Sequence, residues 1–217
     1  MTKLPRTQKV IIFDFDGVLA DSLQMMLSYS AQVCLELGYP CQPSPADLEA
    51  LDPMSFDSLG RQLNLPEAVI PAYKERVFKR FTSGEELPPI FDGMAEVVSA
   101  LASSYTLGLV TGNTSGLVRS FLERYNLLDR FGLILCVDDP GTRVEKIQRV
   151  IKELGGLKAQ VYLVGDAVSD IYAAREVGVK SIAVTWGHQS REKLVTARPD
   201  FLVDSPGGLL SILEGGL

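Results

Sequence analysis

Cysteine is scarce in this chain of 217 residues: only Cys34, Cys41 and Cys136 occur. An odd number, with no metal-ligand spacing, argues against a disulfide framework and reads as three buried or half-buried thiols in a reducing compartment. Histidine is scarcer still. His188 is the only one, and a lone histidine makes a poor metal site. There is no excess of positive charge: 21 basic against 27 acidic residues leave a net charge of -6. That excludes a non-specific grip on nucleic acid or on an anionic membrane, while leaving room for a local anion site. Long apolar runs are missing. The leader MTKLPRTQK is short and polar, and the apolar stretch behind it is too short to span a bilayer. The expectation is a soluble, cytoplasmic protein, monomeric or homodimeric. No internal repeat and no low-complexity stretch is found. With 46% hydrophobic and 22% charged residues, the chain can build one good core, or a core and a smaller satellite.

Short apolar runs recur at Val10–Phe15, Tyr105–Val110, Leu133–Val137, Val161–Val164, Ser181–Val184 and Phe201–Val203. Between most of them lie segments with apolar residues at i, i+3 and i+4, such as GMAEVVSALASS, SGLVRSFLERYNL, VEKIQRVIKELGG and SDIYAAREVGV. Near-continuous apolar strands alternating with helices imply a parallel sheet covered on both faces. From about Asp21 to Pro89 the alternation stops. SLQMMLSYSAQVCLELGY and AVIPAYKERVFKRF read as helices, the second despite Pro71, and QPSPADLEALDP and TSGEELPPIFDG as linkers. A helical block is therefore inserted after the first strand.

The ends of the apolar runs carry the chemistry. VIIFDFDGVLADS leaves its strand into Asp14 and Asp16, with a bend at Gly17. Ligands of open α/β sheets bind at the carboxyl ends of the strands, and two carboxylates so close stay ionised only beside a cation. Alone, the pair also fits turn or capping aspartates. LGLVTGNTSG ends in Thr111, Gly112 and Asn113, where a hydroxyl and glycine-turn N–H groups before a helix can bind an oxyanion, or merely cap the helix through Thr114 or Ser115. YLVGDAVSD brings Asp166 and Asp170 to the same cleft edge; the alternative role for Asp170 is to cap its helix or offset the helix dipole. An oxygen-rich set of this kind suits Mg²⁺. Lys146, early in a helix, needs a nearby carboxylate or phosphate to compensate it, unless it is a solvated surface lysine.

Asp14-x-Asp16, Thr111, Lys146 and Gly165-Asp166-x-x-x-Asp170, in that order, resemble the four motifs of the haloacid dehalogenase-like (HAD) superfamily. The likeness extends over nearly the whole chain, through FDFDGVLADS, VTGN, GDAVSDIYAAREVGV, VTWG and PDFLVDSPGGLLSIL. It points to the phosphoglycolate phosphatase and beta-phosphoglucomutase-like branch. The resemblance implies a Rossmann-like α/β fold, a parallel sheet with helices on both faces, formed by residues 1–20 and 90–217, and an all-helical cap at 21–89. It implies a phosphoric monoester hydrolase acting on a small phosphorylated metabolite, with 2-phosphoglycolate the best single name. Asp14 would be the nucleophile and Asp16 the general acid and base. Thr111, Gly112 and Asn113 would receive the phosphoryl group, and Lys146 would neutralise charge. Asp14, Asp16, Asp166 and Asp170 would surround Mg²⁺. Two departures stand out: no proline follows Lys146 in EKIQRV, and DFDGV replaces the commoner DLDGT.

His188, in TWGHQSREKL, is expected in a surface loop, and Trp186 packed under that loop. In the cap, YKERVFKRF reads as a solvated face, while Met54, Ser55 and Arg61 are candidates to meet the leaving group. A sugar phosphomutase would share every core motif. A non-catalytic regulatory protein is the alternative from another class, set against the presence of every expected chemical group.

Overall fold

The computed structural model describes residues 8–83 and 86–214. The polar leader therefore lies outside the described residues, apart from its last two. Among them, six parallel strands form one sheet in the order β3-β2-β1-β4-β5-β6: β1 (Gln8–Phe13), β2 (Thr106–Val110), β3 (Phe131–Leu135), β4 (Gly156–Gly165), β5 (Lys180–Val184) and β6 (Phe201–Val203). Every expected apolar run becomes a strand. β4 starts earlier than expected, at Gly156, where the only pairing is with Gln8 across a register irregularity.

Val10 to Phe13 are fully buried, and their alternation divides the core. Ile11 and Phe13 join the cluster under α5 (Met94–Leu101), α6 (Ser115–Arg124) and α10 (Pro206–Glu214). Val10 and Ile12 join the cluster under α7 (Arg143–Glu153) and α8 (Val168–Val177). The register aligns Phe13 with Leu109 of β2 and with Val164 of β4. The chain segments that follow these three strands thus emerge side by side. Strand order also reverses between β1 and β4, and such a switch point opens a crevice at the carboxyl edge.

Between β1 and α5 lie α1 (Leu23–Glu36), α2 (Pro45–Glu49), α3 (Phe56–Gln62) and α4 (Ile70–Phe81), with apolar clusters of their own. Pro71 sits in the first turn of α4, where its missing N–H has no helical partner to lose. The stretch expected as a linker at QPSPADLEALDP instead contains α2. Ser44 and Asp47 form its capping box and Pro45 opens it, enough to hold one short helix. Asp21 N–H donates to the Pro89 carbonyl at 2.8 Å, and Ala20 bridges Ile90, so the block starts and ends at one place. Cys34 and Cys41 form a disulfide, contrary to the reading of three free thiols. The chain reverses at Gly38 (φ +81°) just past α1 and brings the two together; Cys136 is a buried free thiol. No helix among the described residues is long and apolar enough to cross a membrane.

Candidate active site

Asp14 continues the β1–β4 ladder by one bond, its N–H donating to the Val164 carbonyl at 2.9 Å. Phe15, between the two aspartates, is fully buried and meets Phe121 of α6 edge-to-face at 4.8 Å between ring centroids. With the middle residue pinned, the chain turns at once: the N–H groups of Leu19 and Ala20 return to the Phe15 carbonyl. Gly17 has φ +73°, and a Cβ there would lie 1.9 Å from Asp166 Oδ2. Glycine is therefore required twice, for the backbone and for the approach of β4's aspartate. Asp14 and Asp16 both border one cavity of about 360 Å³ between the sheet edge and the inserted helices.

Asp14, Asp166 and Asp170 each offer a carboxylate oxygen, all within 4.8 Å of one another. Asp170 does double service. Its Oδ2 accepts the Ala167 N–H at the start of α8, as a capping acid would, and its Oδ1 meets Arg143. The same Arg143 nitrogen lies 3.1 Å from Asp14 Oδ2. Lys146, the expected cation, is buried in α7 with its ammonium on the Cys136 carbonyl, and it does not line the cavity. The difference follows from helix geometry. Thr142 and Glu145 cap α7, so Arg143 is its first residue, and side chains lean toward a helix's N-terminus. Arg143 reaches the strand ends; Lys146, nearly one turn on, reaches the loop after β3.

Asp16 Oδ2 accepts from Asn113 Nδ2 at 2.6 Å, while its buried Oδ1 has no hydrogen-bond partner. Thr111 is buried beside it, its Oγ1 accepting the Asn113 N–H at 3.0 Å, and exposed Gly112 borders the same cavity. His188 is buried, not in a surface loop. Its N–H donates to Asp166 Oδ2 at 2.7 Å and its Nδ1 lies 2.8 Å from the same oxygen. Gly187 permits this, since a Cβ there would meet the Asp166 side chain at 2.3 Å. Trp186 is half-buried under the loop as expected, its Nε1 donating to the Val18 carbonyl. Of the cap candidates, Met54 and Ser55 line the cavity, while Arg61 pairs with Glu67 on the exposed side.

The electrostatics of the cluster are unbalanced. Burial pushes the carboxyls of Asp16 and Asp170 up to about 7, and raises that of Asp14 against the pull of Arg143. Burial alone would lower the pKa of His188, but the Asp166 carboxylate outweighs it and lifts it to about 9. Arg143 is likewise held in its charged form by Asp14 and Asp170 against its own desolvation. Four carboxylates against Arg143 and a protonated His188 leave two negative charges if all four are ionised. A hard divalent cation fits the donor set of Asp14, Asp166 and Asp170 and the unbalanced charge.

Two groups from the β5–α9 region tie the inserted helices to this edge. Gln189 accepts the Val168 N–H at 2.7 Å and donates to the Leu51 carbonyl at 2.9 Å. Lys193, in α9 (Arg191–Thr196), donates to the carbonyls of Leu51 and Glu49 at the end of α2.

The family model described as haloacid dehalogenase-like hydrolase matches residues 11–184. A phosphoglycolate phosphatase of Synechococcus elongatus is 32% identical over 209 residues, covering 93% of this chain and 95% of that protein. The pyrophosphatase PpaX of Bacillus cereus is 27% identical, covering 94% and 95%. Among solved structures, a haloacid dehalogenase-like hydrolase from Streptococcus pneumoniae superposes with a TM-score of 0.82 at 21% identity, covering 94% of this chain and 98% of that one.

Proposed function

The chain belongs to the haloacid dehalogenase-like hydrolases, in the phosphoglycolate phosphatase-like branch, and from that premise we propose that it is a Mg²⁺-dependent phosphomonoester hydrolase working through an aspartyl-phosphate on Asp14. The observation that carries the reading is the gathering of Asp14, Asp166 and Asp170 beside Arg143 and His188, with Asp16 on the same cavity and tied to Asn113 of the Thr111–Asn113 turn. Residues 1–20 and 90–217 serve as the catalytic core and 21–89 as its cap.

An Asp14 oxygen attacks phosphorus while the bond to the ester oxygen breaks. Asp16, whose pKa of about 7 leaves about half of it protonated near neutral pH, gives its proton to the departing alkoxide. Asn113 holds one Asp16 oxygen, which leaves the unpartnered Oδ1 to carry that proton. Asp16 then takes a proton from water, the hydroxide attacks phosphorus, and Asp14 departs with its carboxylate restored. The Thr111 hydroxyl and the Gly112 N–H receive phosphoryl oxygens. Arg143, rather than Lys146, supplies the fixed positive charge beside nucleophile and phosphoryl group. Mg²⁺, held by Asp14, Asp166, the Asp16 backbone carbonyl and Asp170, would screen the approach of one anion to another.

Inorganic phosphate release from a panel of phosphate monoesters, with Mg²⁺ and with EDTA, tests the proposal. Release should stop in EDTA and in Asp14→Asn, with the melting transition retained. Full activity in that variant would refute the aspartyl-phosphate.

A further inference from the structure

The cavity has two unlike ends. The sheet edge supplies the carboxylates, Arg143 and the Thr111–Asn113 turn. The cap end is apolar, lined by Leu48, Met54, Phe56, Leu59, Phe78 and Phe81 among others. Among the described residues, Asp57 and Lys74 are the charged cap residues at this cavity, and they pair with each other at 2.6 Å. Arg143 at the other end is taken up by Asp14 and Asp170. No cation lining the cavity, among the described residues, is thus left without an anionic partner.

From this we infer that the substrate is a phosphate monoester whose alcohol is an uncharged, largely apolar body, a ring or branched chain that fills the cap end while the phosphoryl group sits at the aspartates. The inference rests on the phosphatase reading above. A second anionic group on the substrate, such as a carboxylate, would enter an apolar pocket with no unpaired cation and lie near four aspartates. The one cap cation among the described residues at this cavity, Lys74, is half-exposed and already shared with Asp57, so a second anion placed among the buried apolar side chains would remain uncompensated there, which is costly. The volume of about 360 Å³ exceeds what a bare phosphoryl group needs and lies at the low end for pockets that enclose ring-sized ligands. Phe78 follows Lys74 by one helical turn on α4 and so shares its face toward the cavity.

The test is steady-state kinetics of the full-length protein with Mg²⁺ on benzyl phosphate, glycerol 2-phosphate and 2-phosphoglycolate, in all of which the ester oxygen sits on a saturated carbon. Benzyl phosphate should have kcat/KM at least about tenfold above 2-phosphoglycolate, with most of the difference in KM. In Phe78→Arg, which adds a cation and removes a ring at the cap end, that ratio should shrink by about tenfold or more. Equal or better use of 2-phosphoglycolate by the unaltered protein would overturn the inference and leave the phosphatase reading intact. An unchanged ratio in folded Phe78→Arg would overturn it too. Phosphate release from none of the esters would overturn the phosphatase reading, and the inference with it.

Discussion

The guanidinium of Arg143 lies 3.1 Å from the Asp14 carboxylate, at the first position of α7. It also meets Asp170, so one side chain neutralises the proposed nucleophile and a proposed metal ligand. Replacing it with glutamine keeps a donor but removes the charge. Arg143→Gln is expected to lower kcat by about 10²–10³.

Lys146 should behave in the opposite way. Its buried ammonium is spent on the Cys136 carbonyl, so Lys146→Met should cost about 1.5–3 kcal/mol of stability while kcat falls less than tenfold. Denaturant melts beside kinetics on both variants separate the roles. A large loss of kcat in Lys146→Met with unchanged stability would exchange the two assignments.

Acidity should affect the metal-free protein in a definite direction. Asp16 and Asp170 have folded pKa values near 7 against 3.8 for the free group, because burial disfavours their charge. Between those values the folded state binds more protons than the unfolded one, so stability falls as pH rises toward 7. His188 adds to the fall: its contribution is complete below 6.5 and is lost as pH rises through about 9. In EDTA the melting temperature should therefore drop from pH 5 to pH 9. Mg²⁺ should reduce that drop, because it compensates the ionised carboxylates. A melting temperature that rises with pH in EDTA would contradict the assignment of strain to this cluster.

Gly17→Ala should be severe for a residue that touches no substrate. The added methyl would meet Asp166 Oδ2 at 1.9 Å on a backbone of φ +73°. Phosphate release should become undetectable, and stability should fall by more than about 1 kcal/mol. A fully active Gly17→Ala would mean that Asp166 can move without consequence.

The Gln189 and Lys193 contacts hold the end of α2 against the core. In Gln189→Ala/Lys193→Met the cap should loosen, raising KM about tenfold more than it alters kcat and speeding proteolysis of the chain between α4 and α5. Unchanged KM and cleavage rate would remove these residues from cap positioning.

The strands were legible because five of them are short, almost wholly apolar runs, as buried parallel strands must be. The start of β4 was hidden, since Leu157, Lys158 and Ala159 are exposed and resemble a loop. The aspartates were readable from their places at strand ends. Arg143 was not, because its place is set by the capping box Thr142-x-x-Glu145, which makes it the first helical residue. His188 looked like an ordinary loop residue. Its burial depends on Gly187 packing against Asp166, a contact between residues distant in sequence that local pattern does not express. The Cys34–Cys41 disulfide escaped for a different reason: counting cysteines weighs the whole chain, whereas Gly38 turns seven residues of it back on themselves.

Ala20 and Ile90, on either side of the inserted helices, are bridged to each other, and Asp21 is bonded to Pro89 beside them. To the sheet, everything between is a single stitch. A longer, shorter or differently folded insert whose ends meet at this spacing could be sewn in without moving a strand. Descendants of this chain could therefore exchange the end of the cavity proposed to hold the alcohol while keeping the strand-end aspartates at the other.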